Sequence, residues 1–228
     1  FHFRQENSKI FLKVFRELYY KANVRLILFE AGYAYGLIAQ HYLETGDKKS
    51  LEMIASEGQF SDIHYRHLKE FYDKLPEDEK FSITGIDLDN YSGGDIFIYA
   101  AELIFRDTIM PEEFRNLLDD YDEVYKSESY DVYRESFNPI FLNVSRNEEL
   151  YSSLLGDRYQ QLDELVSRMR SSFKFDFYNY NTGQDSVQQT KRETYIYRNA
   201  VKEINKNPNV NYFGQFSLAH IGLSRFMI

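Results

Sequence analysis

Apolar positions recur at helical spacing from residue 4 to residue 22. Ile10, Val14 and Leu18 form one row, and Phe11, Phe15 and Ala22 another, so the pattern predicts a helix. A short apolar run rich in branched residues, Val24 to Phe29, follows. With a helix before it and a glycine soon after, it reads as a buried parallel strand that leaves Glu30 at its carboxyl end. Helical periodicity returns from about Tyr33 to Glu44, stopped near Gly46, and again over 50–56 and 62–74, with Pro76 closing the last. Phe81 to Ile86 predicts a second strand, with Asp87 just past its end.

From Gly93 to about Arg170 the periodicity is mainly helical, in segments 94–106, 111–125, 127–136 and 146–171. Residues 189–205 predict a further helix and Val210 to Phe216 a third strand, with His220 just beyond it. The expected fold class is therefore α/β, a mostly parallel central sheet flanked by helices and carrying a largely helical insertion. Four regions follow: 1–92 and 189–228 as the two parts of the α/β core, 93–172 as a helical insertion or subdomain, and 173–188 as a loop or lid. In that last stretch alternating aromatics mix with turn formers. The chain opens inside what reads as a site motif, so it is expected to be a fragment missing its first strand.

Composition narrows the chemistry. The chain has 228 residues and 17% aromatic content, from 19 Phe and 20 Tyr, which excludes disorder throughout. A net charge of −9 with no basic stripe argues against a nucleic-acid partner. The absence of Cys removes thiolate zinc sites, disulfides and cysteine nucleophiles. No apolar run approaches the ~20 residues of a membrane span, and no signal peptide opens the chain; the compartment is not legible in the sequence, with the cytoplasm slightly favoured. Oligomeric state is not legible in the sequence.

No nucleophile elbow, phosphate-binding loop or dinucleotide fingerprint is present, so water is the expected nucleophile if the chain hydrolyses anything. Acids and a histidine recur where strands end, at Glu30, Asp87 and His220, which is where open parallel sheets place ligands. His2 and Glu6 stand four residues apart at the opening of the first helix and would share one face. His64 and His67, at i and i+3, have a chelating spacing but no third ligand nearby. They read as surface or core residues, and His41 as structural.

Taken together, these residues resemble the erythromycin-esterase-like family. His2 with Glu6 is similar to its His-x-x-x-Glu motif, and Phe29-Glu30-Ala31 to its second acidic motif. Tyr42-x-x-Thr45-Gly46 fits the pattern downstream, and Gly85-Ile86-Asp87 more weakly. Arg192-Glu193 with Ile196 and Asn199 resembles its Arg-Asp-x-x-Met-x-x-Asn helix, and Ala219-His220-Ile221 its closing Asn-Ala-His segment. The likeness spans most of residues 1–221. The family pattern has Gly after the first His, Asp after the Arg and a polar residue before the closing Ala-His. This chain has Phe3, Glu193 and Leu218 there.

The resemblance implies a hydrolase acting on an ester or amide bond of a small-molecule substrate. His2 would be the general base that activates water, Glu30 the group that orients or shares its proton, and His220 the group that binds substrate or assists the leaving group. Arg192 would stabilise an oxyanion or orient a carboxylate, with Glu6 and Asp87 as further site residues. No cofactor is implied, although His2, Glu30 and His220 together could ligate a divalent metal. A metal-dependent hydrolase on the same residues and a non-catalytic binding protein on the same fold are the alternatives.

Overall fold

The computed structural model describes residues 5–57, 61–89, 93–127, 129–175 and 186–215. The chain divides into two compact units, one formed by residues 1–87 with 189–228 and the other by residues 88–188.

In the first unit, helix α1 (Gln5–Ala22) buries the row Phe11, Phe15 and Tyr19, while Ile10 and Val14 remain exposed. Of the two rows at helical spacing, the aromatic one faces inward because each ring removes more apolar area from water. Asn23 ends the helix with φ +49°, a left-handed turn that asparagine tolerates better than most side chains. The chain then enters β1 (Val24–Gly32). Helices α2 (Tyr33–Thr45), α3 (Lys48–Glu57) and α4 (Asp62–Tyr72) follow, and then β2 (Ser82–Asp87). Helix α11 (Ser186–Lys206) and β3 (Asn211–Gln215) return after the second unit.

The three strands form a parallel sheet in the order β2-β1-β3. The α/β class read from the alternation of elements is the one observed. Central β1 is buried nearly throughout, which is why it reads as a continuous apolar run rather than an alternating one. Its faces still separate by parity. Leu26 and Leu28 pack with Ile86 and with Ile196 of α11, while Phe29 meets Phe11 of α1.

Both site-bearing strands run slightly longer than their apolar runs suggest. β1 continues to Gly32 and β2 to Asp87, so Glu30 and Asp87 lie within the strands' final residues rather than beyond them. Phe29 pairs with Gly85, and the next pair is Gly32 with Asp87. Three residues of β1 thus oppose two of β2, a bulge at Glu30–Ala31 that bends the strand and re-aims its side chains.

Glycine permits a close crossing at the same place. A Cβ on Gly85 would stand 1.8 Å from the Gly32 carbonyl oxygen, and one on Gly36 of α2 would stand 2.2 Å from the Gly85 nitrogen. Helix and strand meet backbone to backbone there.

Under α1, Phe15, Phe71 and Phe81 pack in mostly edge-on pairs. His64 on α4 is fully buried, with its ring 5.0 Å from Phe11 and 5.4 Å from Tyr65. Of the two readings open for it, core is the one observed. Burial, with the nearby His67, pushes its pKa from 6.5 down to about 3. In the fold this imidazole is neutral, whereas in the unfolded chain it takes a proton below about pH 6.5. Its stabilising contribution is therefore complete above about pH 6.5 and is lost as pH falls from there towards about 3, at up to roughly 1.4 kcal/mol per pH unit. Urea unfolding across that window is expected to show a steeper pH slope for the parent chain than for His64→Leu. Equal slopes would contradict a buried neutral imidazole.

The second unit is all helical among its described residues: α5 (Gly93–Ile104), α6 (Glu112–Ser127), α7 (Tyr130–Ser136), α8 (Asn138–Arg146), α9 (Glu148–Leu155) and α10 (Tyr159–Ser172). Its core is aromatic, with Phe97, Tyr121 and Phe137 in edge-on contact, as are Phe114 and Tyr151. The sequence pattern misses α8 and merges α9 and α10 into one helix over 146–171. Pro139 sits in the first turn of α8, where its missing N–H costs nothing. Gly156, at φ +55°, interrupts the later run. Periodicity alone reads across such breaks because the apolar spacing resumes on the other side. Of the expected loop or lid over 173–188, residues 176–185 lie outside the described residues, and α11 already begins at Ser186.

Candidate functional site

Helix α11 presents Arg192, Ile196, Asn199 and Glu203 along one row, at steps of four, three and four residues, the repeat of a single helical face. Ile196 anchors that row in the apolar layer with Leu26, Leu28 and Ile86. Asn199 Nδ2 donates a 2.9 Å hydrogen bond to the Ile86 carbonyl oxygen and is buried. This bond fixes the helix against the end of β2, one residue before Asp87.

With the helix so placed, the Arg192 guanidinium reaches both strand-end carboxylates. Its Nε donates to Asp87 Oδ1 at 2.9 Å and its Nη2 to Asp87 Oδ2, a two-pronged bond that matches the planar geometry of both groups. The same Nη2 stands 3.7 Å from Glu30 Oε1. The side chains of Glu30, Asp87 and Arg192 are only 6%, 4% and 12% exposed. Burial at that level strengthens each interaction, because little water remains to screen it.

Glu30 and Asp87 lie on neighbouring strands, one and two residues along from the Phe29–Gly85 pair. Glu30 sits in the β1 bulge, and the carboxyl end of the sheet carries two acids served by one arginine. Such a cluster can hold a carboxylate in a fixed orientation and present it as a hydrogen-bond acceptor. The carboxylates that Arg192 meets are the protein's own, Asp87 and Glu30.

The remaining expected site residues are less visible. His2 and His220 lie outside the described residues. Glu6 lies in the first turn of α1, and its side chain is likewise outside the described set. Among the described residues, no group of three or more His, Asp or Glu side chains could hold a metal ion, and no helix is long and apolar enough to cross a membrane. Two contributors went unremarked in the sequence for what they do. Asn199 appeared only as part of a motif, yet it ties the helix to β2. Gly36 carried no motif at all, and only its spacing after β1 could have hinted at a close crossing.

No protein-family model matches the sequence, and neither does any curated protein sequence. Solved structures do match in three dimensions. A mutant of the erythromycin esterase EreC in its open conformation is 12% identical and has a TM-score of 0.61, over 88% of this chain and 54% of its own. A succinoglycan biosynthesis protein is 14% identical with a TM-score of 0.53, over 91% and 52%. A protein from Bacillus cereus is 12% identical with a TM-score of 0.51, over 88% and 51%. The chain thus spans about half the length of the solved structures it matches. Its fold is shared with an erythromycin esterase and with a succinoglycan biosynthesis protein.

Proposed function

We propose that this chain carries the water-activating half of a hydrolase site that cleaves an ester or amide bond in a small molecule. The observation that supports this reading most is the Glu30–Arg192–Asp87 cluster, buried at the carboxyl ends of adjacent parallel strands in a fold shared with an erythromycin esterase. In this reading His2 takes a proton from water as the water oxygen attacks the carbonyl carbon. Glu30, held by Arg192, orients the imidazole or shares its proton. His220 delivers a proton to the departing oxygen or nitrogen as the bond to the carbonyl carbon breaks, so an acid and an alcohol or amine leave. The roles of His2 and His220 rest on their motifs, and that of Glu30 on its buried position as well.

General base catalysis typically contributes roughly 10²–10⁴-fold. A panel of small esters and amides is therefore expected to yield a substrate whose kcat/KM falls at least about a hundredfold in His2→Ala. Glu30→Gln is expected to lower kcat with little change in KM. Activity in His2→Ala equal to that of the parent chain would remove the general-base assignment. Loss of activity on chelation, restored by a divalent ion, would shift the reading to a metal-dependent hydrolase.

A further inference from the structure

The second unit contains a cleft of about 180 Å³ lined by residues of α7, α8 and α10 and the turn after α10. We infer that this cleft is a binding site for a compact organic anion, one carboxylate or phosphate group on a flat apolar body. Three cations line it, Arg134, Arg170 and Lys174, against one acid, Glu135. That local excess of positive charge stands in a chain whose net charge is −9. Phenyl rings supply the apolar lining. Phe137 and Phe173 both border the cleft and pack together at 5.4 Å between centroids.

Cations near the end of α10 are expected on simpler grounds, since they complement the negative end of a helix dipole. That account covers Arg170 and Lys174 as free surface charges. It does not account for Arg170 being laid 3.6 Å over the Phe141 ring of α8, nor for two helix ends, Arg134 standing in the last turn of α7, bringing their cations to one cleft. Arg134 is steadied by Asp131 at 3.3 Å. Two of the three cations are thus held in place before any ligand arrives, and preorganisation of this kind lowers the ordering cost of binding. Among the described residues, neither Arg170 nor Lys174 makes a salt bridge to a carboxylate.

The volume restricts the ligand. Pockets for drug-sized molecules run to roughly 300–1,000 Å³, so this cleft suits a single ring with one charged group. A planar guanidinium reads carboxylate and phosphate through paired N–H donors, whereas a lysine acts on either as a point charge. Both head groups therefore belong to the class, and the experiment distinguishes them.

The test is titration of the full chain, followed by amide chemical shifts, with phenyl phosphate, benzoate, inorganic phosphate and benzyl alcohol. Phenyl phosphate or benzoate is expected to saturate, with shifts centred on residues 134–138 and 170–174, and the tighter of the two names the preferred head group. Benzyl alcohol and inorganic phosphate are expected to bind at least about tenfold more weakly, and the double variant Arg170→Gln/Lys174→Gln to lose at least about tenfold for the aromatic anion. Lys48→Gln, a charge removed from the other unit, is expected to leave affinity unchanged. Thermal unfolding of each variant separates lost binding from lost folding. The proposal is overturned if neither aromatic anion saturates, if benzyl alcohol or inorganic phosphate binds as tightly, or if the folded double variant keeps its affinity.

Discussion

Arg192→Met is expected to lower unfolding free energy by about 3–5 kcal/mol, the range seen when one member of a buried charge pair is removed. The physical reason is the ratio of charges at the end of the sheet. Asp87 receives both prongs of the guanidinium and Glu30 lies 3.7 Å from it. Each carboxylate is less than a tenth exposed, so water cannot replace the arginine at small cost. Against a typical total stability of roughly 5–15 kcal/mol, the loss would consume much of what holds this unit folded. Arg192→Lys keeps the charge but not the fork and is expected to fall between the two. The double variant Asp87→Asn/Arg192→Met is expected to recover part of the loss, since it removes one of the acids that the arginine serves. Urea unfolding near neutral pH measures all three. An Arg192→Met chain within about 1 kcal/mol of the parent would mean that the cluster is already solvated, contrary to its burial.

Gly85→Ala is expected to be as damaging, for a reason unrelated to charge. The added methyl would lie 1.8 Å from the Gly32 carbonyl oxygen, with the Ala31 carbonyl oxygen at 2.6 Å. These neighbours are backbone atoms of the central strand, not the ends of flexible side chains, so relief requires moving the strand that carries Glu30. The cost is expected at or beyond the upper end of the roughly 1–3 kcal/mol of ordinary overpacking. Gly36→Ala is expected to behave alike, because its methyl would meet the Gly85 nitrogen at 2.2 Å. The comparison that checks this is Gly156→Ala. No atom lies within 4 Å of that site, but its φ is +55°, so only a backbone penalty applies. Its ψ of −128° places it outside the left-handed helical region, and that variant is expected to lose about 1–3 kcal/mol. Thermal melts that rank Gly156→Ala below Gly85→Ala would show that the helix and strand do not cross so closely.

These two predictions also mark where reading by residue succeeds and where it stops. The strands were legible because a parallel sheet buries both faces, and VRLILF has little other use than a central strand. The acids at Glu30 and Asp87 were legible because strand ends are where such sheets place ligands. Arg192, Ile196 and Asn199 were legible as a row at helical spacing. The helical segment after residue 93 was legible as helical, but its breaks were not. A proline in a first turn and a glycine at positive φ interrupt helices without disturbing the spacing of apolar residues.

Local pattern therefore determined the element types, the α/β class, and which charged residues stand at strand ends, because each follows from the period at which apolar side chains recur. It could not determine that Arg192, 105 positions from Asp87, would lay its fork across that carboxylate, that β1 would bulge at Glu30, or that α2 would cross β2 at two glycines. Those are decided by distances between segments far apart in the chain. Only packing sets such distances, through the burial of Ile196 against the sheet and the lack of room for a single methyl group at Gly85.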